Sequence, residues 1–280
     1  MNDQTSKTSD FIQVHAIIDA HLNTLQNYCL FLDIDGTISE FDIDPQATFI
    51  ELNTLNHLAT LQQFQVPIAA ITGRSIADAQ RLFKHVDVHL AGTHGLEIRL
   101  NKKVKYPKLN PDLNFDDIYR EILQQCTPYT ILKIEKKSYA VAIHYRAAPE
   151  LEYIAHTIAQ DIVNHHQGLK LNFGKYVVEV ILEQADKGLA LKDIYYSLKL
   201  EQYIPIFIGD DRTDESAFKV VNQLGGISIK VGSGPTEAQF RIKNVDATLE
   251  FIQLFLTFIK NKKVRQSQVS KINGEKACLN

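Results

Sequence analysis

Cysteine is scarce in this chain. Its three thiols, Cys29, Cys126 and Cys278, are far apart and odd in number, with no CxxC or Cys/His spacing around them. A structural zinc site is therefore not expected, and the scarcity fits a reducing compartment. Charge of one sign is also missing: 30 basic side chains face 33 acidic ones, a formal charge of −3 over 280 residues. That balance lacks the basic field of a nucleic-acid binder. No run of about 18 apolar residues could span a membrane. Residues 1–10 are polar and lack the apolar stretch of a signal peptide. The expectation is a cytoplasmic protein, monomeric, with neither nucleic acid nor membrane as partner.

The composition, 45% hydrophobic and 22% charged, is that of a soluble globular protein. The length permits one large domain or two ordinary ones. Residues 11–25 carry apolar side chains at near-helical spacing. Residues 28–34 then form an apolar run broken by Asp33, the mark of a strand buried on both faces. A helix over 49–61, a strand over 66–71, a helix opened by Ser75 with Asp78 three residues on, and a short strand at 89–91 follow. Alternating strands and helices of this kind imply right-handed crossovers and a doubly wound parallel sheet.

The pattern changes after Leu100. Residues 101–114 are polar and punctuated by Pro107 and Pro111. A helix near 118–123 precedes paired strands at 131–135 and 139–145, and a helix at 151–165 precedes strands at 169–173 and 176–181. The strand at 139–145 alternates as an antiparallel strand with one wet face does. The βα pattern returns with a helix at 189–198, a strand at 204–208, a helix at 214–224, a strand at 226–231 and a helix at 248–259. The last twenty residues are polar and basic, as a solvated end would be. The fold class expected is α/β: a Rossmann-like doubly wound core built from residues 1–104 and 186–280, with an inserted α+β cap domain at 105–185.

Two places concentrate chemistry. In Leu30-Phe31-Leu32-Asp33-Ile34-Asp35-Gly36-Thr37 a buried strand empties into two acids that alternation sends to the same side, and Gly36 permits a sharp turn. Ligands of open parallel sheets bind beyond such strand ends. In Ile206-Phe207-Ile208-Gly209-Asp210-Asp211-Arg212-Thr213-Asp214-Glu215 a second strand does the same with four acids. A helix N-terminus accounts for Asp214 and Glu215, but not for Asp210 and Asp211. Like charges at this density call for a hard cation, and magnesium suits carboxylates together with a phosphate oxygen. Thr72-Gly73-Arg74-Ser75 offers a hydroxyl and free amides at a strand–helix junction, a weaker anion site. Lys187, in Asp186-Lys187-Gly188, draws meaning only from its place in this set.

In this order, DxDGT, a strand-end threonine, a lysine before a helix and GDDxTDE resemble the haloacid dehalogenase superfamily of phosphatases. Thr72-Gly73-Arg74, Gly92-Thr93-His94-Gly95-Leu96-Glu97, His144-Tyr145-Arg146, Gly174-Lys175 with Val178-Glu179-Val180, and Asp186-Lys187-Gly188 resemble, more closely, the trehalose-6-phosphate phosphatase family. The chain departs from that pattern at Ile181-Leu182-Glu183-Gln184, where members carry a basic residue and proline.

The resemblance implies a Mg2+-dependent phosphatase acting on trehalose 6-phosphate. Asp33 would be the nucleophile and Asp35 the general acid and base. Thr72 and Lys187 would hold the transferring oxygens. The metal set would be Asp33, Asp35 through its carbonyl, Asp210 and, indirectly, Asp211. Glu135, Lys137, Arg146, Lys175 and Glu179 would meet the sugar from the cap, with Arg74 and His94 on the core side. Lys136 competes with its neighbour Lys137 for that role. Two rivals stand: a capped phosphatase for sucrose phosphate or a mannosyl phosphate, and a silent sugar-phosphate sensor. The presence of Asp33, Asp35, Lys187 and Asp210 together favours an enzyme.

Overall fold

The computed structural model describes residues 11–41, 46–108, 113–174 and 176–277, with backbone alone at 267 and 269–277. The first apolar periodicity becomes α1 (Val14–His21), and the apolar run after it becomes β1 (Asn27–Leu32). Alternation along β1 gives it two buried faces. Tyr28, Leu30 and Leu32 join one hydrophobic cluster, Cys29 and Phe31 another. A strand of this kind needs helices on both sides.

The chain continues through α2 (Leu52–Gln63), β2 (Ile68–Ile71), α3 (Ile76–Phe83), β3 (His89–Gly92), β4 (Glu97–Leu100) and β5 (Lys103–Lys105). Ser75 caps α3 as its sequence suggests, its hydroxyl accepting from the Asp78 amide at 3.1 Å. Then come α4 (Phe115–Cys126), β6 (Lys133–Lys136), β7 (Ala140–His144), α5 (Glu152–His165), β8 (Leu169–Gly174) and β9 (Val177–Leu182). The last part holds α6 (Lys187–Ser197), β10 (Tyr203–Gly209), α7 (Glu215–Gln223), β11 (Ile227–Val231), β12 (Phe240–Ile242) and α8 (Val245–Ala277).

Two sheets result. The larger has the order β12-β11-β10-β1-β2-β3-β4-β5, parallel from β12 to β3 and antiparallel at β4 and β5. Helices α1, α2, α3 and α8 cover one face, α6 and α7 the other. β1 lies between β10 and β2, where the strand order reverses, so its carboxyl end opens into the crevice in which ligands of such sheets bind. The smaller sheet, β6-β7-β9-β8, is antiparallel throughout. Val141, Ile143, Val178 and Val180 point from it into a separate cluster with Ile118 and Ile122 of α4 and Ala159 and Ile162 of α5. Helices cover that face alone, leaving the other for polar side chains.

Two elements differ from expectation. The hairpin of β4 and β5 extends the large sheet into a segment whose polar residues read as a loop. Glu97 and Arg99 are nevertheless buried, because both are satisfied: Glu97 Oε2 accepts from the Ile76 amide at 3.0 Å and Arg99 Nη1 donates to Val88 O at 2.9 Å. The basic tail, expected as a solvated end, is exposed at residues 263–266 and is helical as well, continuing α8. It holds no proline to stop the helix, and Lys262 ties it down by donating to Gln26 O and to Asn27 Oδ1. Among the described residues no helix is long and apolar enough to cross a membrane.

Phe207 of β10 is fully buried and its ring lies 5.4 Å from that of Phe218 on α7. Phe207→Ala should cost about 3–5 kcal/mol of stability, read as a lower urea midpoint at unchanged slope; a loss below about 1 kcal/mol would mean that this face of the sheet is not the packed core described.

Candidate active site

The site forms where β1 and β10 end side by side. The Asp33 amide continues the parallel ladder by donating to Ile208 O at 3.0 Å, which fixes Asp33 at the carboxyl edge of the sheet, buried. The chain must then leave the sheet without covering its neighbour. Gly36 does this with φ +76°, and a Cβ there would lie 2.2 Å from Asp210 Oδ2, so only glycine lets this turn pass in front of Asp210. Gly209 has the same duty on β10: a Cβ there would lie 2.4 Å from the Asp214 carboxyl carbon.

Asp33, Asp210 and Asp214 each present a carboxylate oxygen within 4.8 Å of the others. Lys187, at the first turn of α6, reaches between two of them, with Nζ 2.9 Å from Asp33 Oδ1 and 2.6 Å from Asp214 Oδ1. Asp186 holds that turn in place by accepting from the Leu189 amide at 2.8 Å. Lys230 of β11 donates to the Asp210 carbonyl. Burial raises the pKa of Asp33 well above the carboxylate range, Asp214 and Asp210 add to the rise, and Lys187 opposes it. Burial, then Asp214 and Asp211, push Asp210 up to about 7. The cluster thus holds more negative charge than its cations offset. A hard divalent ion with oxygen ligands would correct that imbalance, so these residues fit one.

The other expected members divide. Asp211 does not join the oxygen cluster. Its side chain caps the short 3₁₀ turn Arg212–Asp214, while its amide donates to Asp214 Oδ2 at 2.8 Å. Asp35 turns to Arg74, which chelates it through Nε to Oδ2 at 2.7 Å and Nη2 to Oδ1 at 2.6 Å, and Nη2 also donates to Thr48 Oγ1 at 2.7 Å. Thr72 ends β2, buried, its hydroxyl accepting from the Arg74 amide at 3.2 Å.

The exposed face of the smaller sheet supplies the opposite wall. Register puts Glu135, Ala142, Glu179 and Asn172 in one row across β6, β7, β9 and β8. Glu179 accepts from Lys137 Nζ at 2.5 Å and from Asn172 Nδ2 at 2.7 Å, and it lies 3.1 Å from His94 Nε2. Its neighbour Lys136 points elsewhere, to Asp116. His94 comes from the larger sheet's side, on the β3–β4 connection, so this contact joins the two sheets. Burial would raise the pKa of Glu179, yet Lys137 and His94 hold it well below the carboxylate range. Glu135 pairs with His144 at 2.9 Å. Arg146 stands apart from the row, its guanidinium carbon 4.2 Å above the ring of Phe41. Lys175 lies outside the described residues.

Asn172, Thr48 and Lys230 were not read from the sequence. Lys230 carried a signal, a lone cation in the apolar strand Ile227-Ser228-Ile229-Lys230-Val231. Asn172 and Thr48 carried none, since each acquires its partner only through folding.

Lys187 is the buried cation between two acids, so Lys187→Met should leave them uncompensated. The expected cost in metal-free buffer is about 3–5 kcal/mol by urea unfolding. A cost near zero would show that the lysine does not carry the cluster.

A trehalose-phosphatase family model matches residues 31–246. The trehalose-6-phosphate phosphatase of Escherichia coli (strain K12) is 35% identical over 238 residues, covering 84% of this chain and 89% of that protein. The solved C-terminal domain of a C. albicans trehalose-6-phosphate phosphatase superposes with a TM-score of 0.79 at 21% identity, over 90% of this chain and 99% of that one. A haloacid dehalogenase-like hydrolase from Bacteroides thetaiotaomicron shares the fold, with a TM-score of 0.60 at 13% identity over 82% of this chain and all of that one. With most of its length matched in sequence and its acidic cluster at the end of β1, the chain belongs to the trehalose-phosphatase family.

Proposed function

We propose that this chain hydrolyses trehalose 6-phosphate to trehalose and inorganic phosphate, with magnesium as cofactor and an aspartyl-phosphate on Asp33 as the intermediate. The observation that carries this reading is the meeting of Asp33, Asp210 and Lys187 at the mouth of the switch point, opposite a sheet face set with hydrogen-bonding groups. Residues 105–185 act as a cap inserted into a core formed by 1–104 and 186–280. The two described cysteines are buried and unpaired, which supports the cytoplasm as the working compartment.

Asp33 attacks phosphorus through its carboxylate oxygen, splitting one displacement into two. The leaving sugar oxygen takes a proton from Asp35. Asp35 then accepts a proton from the water that attacks the acyl phosphate, releasing phosphate and restoring Asp33. Arg74 holds the Asp35 carboxylate at both oxygens in the substrate-free structure, so one of these bonds is released for Asp35 to carry its proton. Lys187 and the Thr72 hydroxyl hold the oxygens of the transferring phosphoryl group, where charge must be stabilised as the bond breaks. Magnesium, held by Asp33, Asp210 and the Asp35 carbonyl, would offset the repulsion between carboxylates and phosphate when bound. Asp211 shapes the loop that carries Asp210. On the cap, Lys137, Glu179 and Glu135, with Lys175 and Arg146, give the disaccharide donors and acceptors, and His94 and Arg74 close the site from the core side.

Asp33→Asn should lower turnover by more than about 10³-fold while the far-ultraviolet circular dichroism stays that of the parent; residual activity within tenfold of the parent, with deamidation excluded by mass, would remove Asp33 as nucleophile. Glu179→Ala should lower kcat/KM for trehalose 6-phosphate about 10- to 100-fold, with little change on a small ester such as p-nitrophenyl phosphate. Equal loss on both substrates would take Glu179 out of sugar recognition. Dialysis against EDTA should abolish phosphate release, and magnesium should restore it.

A further inference from the structure

Three of the contacts between the two sheets' units among the described residues flank the site. One, His94 against Glu179, belongs to the network already described. The other two are cation–π pairs that run in opposite senses, and of their members only Arg146 has a part in the proposed sugar contacts. On one flank the core provides the ring: Phe41, on the loop that leaves β1, lies under the Arg146 guanidinium at 4.2 Å, with the Tyr176 ring 6.0 Å from the same carbon. On the other flank the core provides the cation. Arg212, beside Asp211 in the loop after β10, has its guanidinium 5.6 Å from the ring of Phe173 on β8. The Phe173 ring is itself set edge-on against His156 of α5, centroids 4.9 Å apart.

Core packing does not explain these positions. Phe41 is 45% exposed and belongs to none of the three hydrophobic clusters, and Arg212 is exposed. Each pair joins the two sheets' units outside the hydrophobic clusters, and each lies next to an element of the site. Phe41 is on the loop that starts with Asp33 and Asp35, Arg212 on the loop of Asp210. A guanidinium stacked on a ring is attracted through its flat face and tolerates small shifts. A closure that must open for product release needs contacts of that kind.

We propose that Phe41 and Arg212 are positioning residues, the two grips by which the core holds the cap over the site. The proposal rests on the reading that the cap carries the sugar contacts, since closure then decides how well the disaccharide is held. Losing a grip shifts the protein toward the open state, and the apparent affinity falls with the closed fraction. Substrate at saturation pulls the cap shut again, so turnover is kept.

The test uses Phe41→Leu and Arg212→Gln, singly and together, with Phe41→Tyr and Arg212→Lys as conservative partners. Each single loss should raise KM for trehalose 6-phosphate about two- to fivefold, and the double about tenfold, with kcat within about twofold of the parent. The tyrosine variant should keep the parent KM, and the lysine variant, which keeps the charge but not the flat face, should fall between the parent and the glutamine variant. In small-angle X-ray scattering the ligand-free double variant should have a larger radius of gyration than the parent. The proposal is overturned if KM is unchanged, if kcat falls as much as KM rises, or if the conservative variants behave like the disruptive ones. Should the parent not hydrolyse trehalose 6-phosphate, the functional reading fails by itself. Scattering then decides the grips alone, and an unchanged radius in the double variant overturns them.

Discussion

Three carboxylates with oxygens within 4.8 Å of one another repel, and burial makes that repulsion stronger than it would be in water. Much of the larger sheet is arranged to make the cluster possible. The parallel pairing of β1 with β10 delivers Asp33 and Asp210 to the same edge, glycines at 36 and 209 let the loops pass without covering the acids, and α6 begins where its first residue can place an ammonium between Asp33 and Asp214. Lys187 alone faces three carboxylates, and burial, with the neighbouring acids adding to it, raises the pKa of Asp33 and Asp210. What is left is an appetite for a divalent cation, which also lets an anionic nucleophile approach an anionic phosphate.

The smaller sheet handles its acids in the opposite way. Glu179 is as buried as Asp33, yet Lys137, Asn172 and His94 surround it and hold it ionised. Glu135 has His144 beside it. A face balanced in this manner has little pull on a cation or a phosphate. It does offer many oriented donors and acceptors, which suits the neutral hydroxyls of a sugar. The two walls therefore differ electrostatically: the acidic cluster is short of positive charge, and the row around Glu179 has its cations beside it.

Legibility in the sequence followed the range of the interaction that fixes each feature. The run into Asp33 and Asp35 and the run into Asp210 could be read because a buried strand and its terminal acids are adjacent in the chain. The doubly wound core and the antiparallel insert could be read from the change in hydrophobic pattern between residues 100 and 186. The β4–β5 hairpin could not, since Glu97 and Arg99 look like loop residues until the Ile76 amide and the Val88 carbonyl are seen to satisfy them. The choice between Lys136 and Lys137 needed the path of β6, which sends one to Asp116 and the other to Glu179. The partnership of Arg74 with Asp35, 39 residues apart in the chain, was likewise invisible.

That last pair bears on how two acids one residue apart can do different work. Strand alternation aims Asp33 and Asp35 to the same side, where two free carboxylates would tend to share one proton. The fold prevents this by giving each a different partner before substrate arrives. Lys187 and the acids of the β10 loop claim Asp33, and the Arg74 fork, braced by Thr48, takes both oxygens of Asp35. The first carboxylate is thereby left in a dense negative cluster, suited to a metal and to attack on phosphorus. The second is held aside by a fixed cation with its orientation set. The two aspartates of the DxD motif thus differ through the groups each meets, and not through their spacing.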